Sequence, residues 1–260
     1  MQAAVTDDLC TLYHQTEDHF FAATCPLHHR YSAGVNAYFT DEYANPFSLL
    51  FIRVGSAPLG EAMAAPLDLI RRTQQAVRIV IHEGKVEEVH EALTALGFLA
   101  AETTIAMALE LSRFAPSMSE HGVQISLTRN LEDWAAPIGS AFLMRPEDVA
   151  HYQARHQCAL DGGQALEHFT LSVEGQCVCS LTLSLCDGVA RLNDVGTIKA
   201  FSGRGYATRL IQAALLHASS LGAQRCFLEA SLDGCSLYRR LGFETLFEYR
   251  AFIRGPVAGP

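Results

Sequence analysis

The sequence predicts an α/β protein of two domains, and three observations carry that reading. Short apolar segments of strand type alternate with helical segments of three- and four-residue apolar spacing along the 260 residues. The order strand, helix, strand, helix, Gly-Phe, strand occurs twice, with Leu96-Gly97-Phe98 echoed by Leu241-Gly242-Phe243. Between the two lies a Ser- and Pro-bearing stretch, residues 116–122, which reads as a linker. The expected domains are therefore residues 1–115 and 123–260, a length that suits two units of ordinary size.

In the first half, Leu9 to His19 suits a helix, and His28-His29-Arg30-Tyr31 reads as a turn or exposed loop whose histidines are a solvated or packed pair rather than metal ligands. Asn45-Pro46 punctuates, and Phe47 to Val54 is a buried strand of aromatic and branched residues. Glu61 to Gln75 forms a helix made irregular by Pro66. Val77 to His82 is a strand. Val86 to Leu96 is an amphipathic helix stopped at Gly97, and Thr104 to Leu111 is a strand.

The second half is more regular. Asn130 caps a helix bearing Trp134, Ile138 and Phe142, and Pro146 opens a second helix running to about Leu160. His168 to Val173, Gln176 to Leu185 and Val189 to Val195 form an antiparallel meander joined at Glu174-Gly175 and Asp187-Gly188. A long helix with Ala207, Leu210, Ile211, Ala214, Ala218 and Leu221 on one face follows. Cys226 to Ala230 is a buried strand, Ser231 to Leu241 a helix, and Phe243 to Ile253 finishes the chain with apolar strands.

Composition bounds the function. Hydrophobic residues make up 49% and charged residues 18%, as in a well-packed globule. No apolar run reaches the ~18 residues of a membrane span, and the first eight residues lack the basic and apolar regions of a secretory leader. A cytoplasmic protein with no membrane partner is expected. The net charge of −9 sits mostly in residues 1–120, with 15 acids against 7 Lys and Arg; residues 121–260 hold 13 against 12. Such a surface is a poor binder of nucleic acid, which needs clustered cations, and it suits cationic, amine-bearing partners. The eight cysteines include no Cys-x-x-Cys pair and are expected to be free thiols, with no metal bound.

Against this background Thr197 to Tyr206, Thr-Ile-Lys-Ala-Phe-Ser-Gly-Arg-Gly-Tyr, stands out. From Val195 to Leu228 there is no Asp or Glu, while Lys199, Arg204, Arg209 and Arg225 lie inside. A strand, a turn with Gly203 and Gly205, and a helix start place unpaired N–H groups and the positive end of a helix dipole at one spot. That is the setting of a phosphate-binding turn, with a plain tight turn between strand and helix as the alternative that the two glycines alone leave open. It is not a P-loop, since no Gly-Lys-Ser/Thr follows, nor a dinucleotide fingerprint, since Ala207 and Thr208 stand where the last glycine belongs.

Meander, Gly-x-Gly turn, helix, and then Leu-Glu-Ala-Ser followed by Tyr-Arg-Arg-Leu-Gly-Phe resemble the GNAT superfamily of acyl-CoA-dependent N-acetyltransferases, over about residues 121–253. The resemblance implies a mixed, mostly antiparallel sheet flanked by helices. In that family the turn follows Arg/Gln-x-x-Gly-x-Gly/Ala. Here Ser202-Gly203-Arg204-Gly205-Tyr206-Ala207 matches, except that Ser202 replaces the Arg or Gln and loses one long donor. The second motif, a small polar residue seven places before Leu-Tyr-x-x-Leu-Gly-Phe, is met by Ser231 and Leu237-Tyr238-Arg239-Arg240-Leu241-Gly242-Phe243.

By this resemblance acetyl-CoA would be held by Ser202 to Thr208 and Ser231, with main-chain groups of Val195 and Thr197 on its acyl arm. Tyr238 would protonate the departing sulfur. Glu229 and Asp194, near strand ends, are candidates for the base that takes the amine proton; a salt bridge for either, with a water chain as base, is the alternative. The acceptor would be a small-molecule or peptide amine. Residues 1–115 lack both motifs, so a GNAT-like first half would have lost the coenzyme site; walling the acceptor cleft, forming a homodimer or binding a regulator are the roles open to it. A chain that binds acyl-CoA without catalysis, as sensor or scaffold, is the competing expectation.

Overall fold

The structure, a computed structural model, describes residues 2–40, 49–116 and 122–256, with side chains from Asp8 onward. Two compact units emerge: Met1–Ala106 with Ala230–Asp233 and Thr245–Pro260, and Met107–Glu229 with Gly234–Glu244. The division read from sequence, 1–115 and 123–260, thus differs at the C-terminus, where the last strand packs with the first unit. Ser117 to His121 of the expected linker, like Asn45 to Ser48, lie outside the described residues.

The first unit begins with helix α1 (Gln2–Thr24), followed by β1 (Leu27–Ser32), β2 (Val35–Phe39), β3 (Leu49–Val54), α2 (Ala64–Arg72), β4 (Ala76–His82) and α3 (Val86–Ala95). Strands β1, β2 and β3 pair antiparallel, and β3 and β4 pair parallel through the α2 crossover. Alternation along the strands sorts their two faces. One face packs Val35, Leu50, Ile52, Ile79 and Ile81 against Ile70, Val89 and Leu93 of the crossover helices. The other lies under α1 and is polar: the Arg53 guanidinium pairs with Glu17, and Tyr38 Oη donates to Asp18 Oδ1 at 2.6 Å, all four buried. His28 to Tyr31, read from sequence as turn or loop, form β1 instead. Its side chains are mostly exposed, so the edge strand shows no apolar alternation.

Strand β5 (Leu99–Glu110) contributes its first residues to the first unit and Met107–Glu110 to the second. In the second unit Arg225 pairs with Glu110, and Leu111 N–H donates to Gln224 C=O at 2.9 Å. There follow β6 (Gln124–Thr128), α4 (Leu131–Ala141), α5 (Pro146–Asp161), β7 (Leu166–Val173), β8 (Gln176–Cys186), β9 (Val189–Thr197), α6 (Tyr206–Ser220), β10 (Arg225–Ser231) and α7 (Cys235–Arg240). Strands β6 to β9 pair antiparallel and β10 pairs parallel with β9. Both hairpin turns place two residues at positive φ, Glu174-Gly175 at 50° and 81° and Asp187-Gly188 at 48° and 74°, as a type I′ turn requires. Sequence reading did not foresee β6, and α7 is shorter than Ser231 to Leu241. Asn130 caps α4, its side chain accepting from Glu132 N–H at 3.2 Å. Each unit is thus a mostly antiparallel sheet flanked by helices.

The last strand, β11 (Glu244–Arg254), pairs antiparallel with β4 from Tyr249↔His82 to Arg254↔Val77, and its Phe252 joins the first unit's core. The Gly-Phe echo has a common cause. Gly97 and Gly242, at φ 79° and 95°, end α3 and α7 in the same motif: Phe98 N–H bonds Leu93 C=O and Phe243 N–H bonds Tyr238 C=O. Ala223 bonds Ala218 likewise after α6, so the motif marks helix ends and is no signature of duplication. Among the described residues no helix is long and apolar enough to cross a membrane.

Candidate active site

The site is built where β9 stops behaving as a regular strand. Ser180 pairs with Gly196 but Thr182 with Asn193, so Leu181 faces two residues, Asp194 and Val195. This is a β-bulge, and Asp194 sits in it at φ 58°. On the opposite edge the parallel ladder to β10 ends at Leu192↔Leu228. Among the described residues the main chain of Asn193 to Thr197 is therefore free of strand pairing on that side, and both Val195 and Thr197 are half-buried there. Gly196 is required by close packing: a Cβ would stand 2.8 Å from Ile138 Cα and 2.9 Å from Pro137 O of α4.

The chain then bends through a short 3-10 turn, Lys199–Phe201, held where Lys199 N–H donates to Ser140 Oγ at 3.1 Å. Gly203 and Gly205 adopt φ of 77° and 78°, with open space where a Cβ would lie. Their role is thus conformational as much as steric. The first helical bond of α6 is Arg209 N–H to Gly205 C=O at 3.1 Å, and no side chain caps the helix. Among the described residues the amides from Gly203 to Thr208 have no acceptor, and the segment is exposed or half-exposed. Six main-chain donors at a helix N-terminus form a cradle for a diphosphate-sized anion. Arg204, over the Phe201 ring at 5.1 Å, adds positive charge beside it.

Tyr238 lies in α7, its ring edge-on to Phe243 at 5.9 Å. Burial holds its phenol well above the usual range, and the Cys179 and Cys226 thiols add to that. Burial likewise pushes Cys179 up to about 12, so Tyr238 sees neutral, weakly polar surroundings.

Residues 128–243 match the model of the acetyltransferase (GNAT) family. The chain carries a GNAT-family domain. Solved structures agree on the fold across both halves. A GCN5-related N-acetyltransferase from Kribbella flavida is 17% identical, covers 85% of this chain and 86% of its own, and superposes with a TM-score of 0.60. Its counterpart from Sphaerobacter thermophilus, also 17% identical, gives 0.62 over 87% and 78%. A tandem GNAT protein from the clavulanic acid biosynthesis pathway, 13% identical, gives 0.60 over 87% and 80%. No curated protein matches the sequence.

Within the GNAT domain the two candidate bases are differently placed. Glu229 lies 4.0 Å from the guanidinium of the buried Arg191, whose Nε donates to Asn193 Oδ1 at 3.0 Å. Asp194 turns toward α5: Tyr152 Oη donates to its Oδ1 at 2.6 Å, and His156 Nε2 lies 3.7 Å from Oδ2. Burial raises the Asp194 carboxyl above its ordinary range, opposed by the Tyr152 hydrogen bond. His156 Nδ1 lies 2.9 Å from His168 Nε2, and both rings pack on Trp134. Burial lowers both histidines, His168 to about 4, so they are neutral. Ser231, exposed at the end of β10, packs with the first unit. All eight cysteines are free thiols, and no metal-binding group occurs among the described residues.

The sequence did not reveal Tyr152, His156, His168 and Ser140, since nothing in their spacing ties them to β9. Gly196 carried a readable signal, because a glycine within a strand marks a close approach of another backbone.

Proposed function

We propose that the GNAT domain transfers an acetyl group from acetyl-CoA to a primary amine by direct attack in a ternary complex. The observation that carries this reading is the run of acceptor-free amides from Gly203 to Thr208, set directly after a strand that has lost its partner. The cradle fits the coenzyme's pyrophosphate, and it rests on main-chain groups that a serine at position 202 leaves intact. Acetyl-CoA supplies the thioester carbonyl when bound. The main chain at Val195 and Thr197, open on the side away from β8, would orient the acyl arm beside the bulge. Tyr238 keeps its proton at neutral pH and would serve the departing sulfur as hydrogen-bond donor and acid. Asp194, whose raised carboxyl is a stronger base than an exposed aspartate, is better suited than the ion-paired Glu229 to take the amine proton. The domain works in the cytoplasm on a small-molecule or peptide amine.

Calorimetry of the full chain with acetyl-CoA, coenzyme A and ATP, followed by thiol release against a panel of amines, tests this. Acetyl-CoA and coenzyme A are expected to bind, ATP not. Gly205→Val, which strains the left-handed residue, is expected to weaken acetyl-CoA by at least about tenfold, the free-energy scale of one charged hydrogen bond. Binding without thiol release for any amine would favour a non-catalytic acyl-CoA sensor or scaffold. No coenzyme binding would sink both.

A further inference from the structure

The first unit contains a cavity of about 770 Å³, within the range of small-molecule sites. Thr11, His14, Gln15 and Asp18 line it from α1. Their i, i+3, i+4, i+7 spacing makes one stripe, at positions a sheet-packed helix ordinarily fills with apolar residues. Across the cavity stand Arg30 and Asn36, direct partners in the β1–β2 ladder, so their side chains share one face. Two polar surfaces face each other where apolar packing would be the cheaper arrangement.

The wall is fixed. Gly55 N–H donates to Gly34 C=O at 2.7 Å, and a Cβ on Gly55 would stand 2.8 Å from the His14 ring. His14 Nε2 accepts from Ser56 N–H at 3.2 Å, which leaves the proton on Nδ1, 3.1 Å from Tyr249 Oη. Tyr249 in turn donates to Glu17 Oε2 at 3.0 Å. Behind the wall the polar groups satisfy one another. Asn36 is different: it is 9% exposed, it lines the cavity, and its Oδ1 has no donor among the described residues. A buried acceptor without a donor calls for an N–H or O–H from whatever fills the space. Asp18 and Arg30 form an ion pair on the same cavity. A ligand of one sign would leave one member of that pair badly matched, whereas a ligand carrying both signs serves both.

We propose that this cavity binds a small zwitterion with an α-amino-acid head, the ammonium donating to Asn36 Oδ1 and Asp18 and the carboxylate accepting from Arg30. The remaining volume accommodates the ligand's side chain. The site is independent of the acyltransferase reading, and it gives the first unit a ligand of its own in place of a coenzyme.

The test is calorimetry of the full chain with each common L-amino acid, alongside n-butylamine and butyrate as probes that carry one charge. At least one amino acid is expected to bind saturably, with both single-charge probes weaker by about tenfold or more. Asn36→Leu and the more exposed Arg30→Gln are each expected to weaken that amino acid about tenfold, with acetyl-CoA affinity and the unfolding midpoint unchanged. Failure of every amino acid to bind overturns the proposal. So does n-butylamine binding as tightly as the amino acid, or full affinity in both variants.

Discussion

Tyr238 and Asp194 illustrate how burial tunes chemistry one side chain at a time. A phenol held above its usual range is a weaker acid in isolation; in the proposed reaction a thiolate leaving beside it would be penalised by the same burial, which would keep proton transfer between them matched. Tyr238→Phe is therefore expected to keep acetyl-CoA affinity while lowering kcat by about 10² to 10⁴; single-turnover thiol release beside calorimetry separates the two effects, and undiminished kcat would remove the phenol from the mechanism. Tyr238 was singled out by its motif, and Asp194 by its place near a strand end. The histidines behind Asp194 were not, because α5 and β7 meet only in three dimensions. They have a consequence for stability. Between pH 6.5 and about 4 the unfolded chain takes up a proton at His168 that the folded chain refuses. Stability is then full above pH 6.5 and falls as pH drops toward 4, by about 3 kcal/mol for His168 alone. Urea titrations across that range should show the loss, and His168→Gln should reduce it, leaving the part that His156 contributes; an unchanged slope in the variant would show that His168 is not a titrating group.

The decisive packing between elements is that of α4 across the bulged β9. Ser180, fully buried, donates its hydroxyl to Trp134 C=O at 2.7 Å, next to the Pro137 turn of the helix, and Gly196 lets the two backbones touch. The atoms a new Cβ would meet are main chain, so they cannot swing aside. Gly196→Ala is expected to cost about 1–3 kcal/mol of stability, read from the fluorescence of Trp134 on α4. Because the bulge would shift with it, acetyl-CoA affinity should fall too; wild-type values for both would mean that α4 moves away without strain. At this scale the sequence was legible wherever periodicity or turn chemistry was strong: the meander, both I′ turns, the Asn130 cap and α6. It was silent on β1 and β6, which are edge strands with mostly exposed or half-exposed side chains and so show no apolar alternation. The end of α7 was readable from Gly242, whereas its start, set by the turn after β10, was not.

For the whole molecule, the sequence reading placed a boundary at the linker, whereas the membership of the two units does not follow it. Each takes its final strand from the other half of the chain: the first from β11, the second from the end of β5. No local propensity records such an exchange, because β11 would be equally apolar beside either sheet. Its energetic effect is testable through a fortunate distribution of probes. Trp134 is the chain's single tryptophan and reports the second unit's core, while Phe252 is buried in the first. Phe252→Ala is expected to destabilise by about 3–5 kcal/mol, as for other buried Phe→Ala changes. Strand β5 belongs in part to each unit, so a lesion in the first is expected to be felt at the strand's other end. The tryptophan transition should therefore move to lower urea together with the far-UV circular dichroism transition, although Trp134 belongs to the other unit. A tryptophan midpoint left in place while circular dichroism splits into two steps would mean that the units fold independently, and that strand exchange joins them without coupling their stabilities.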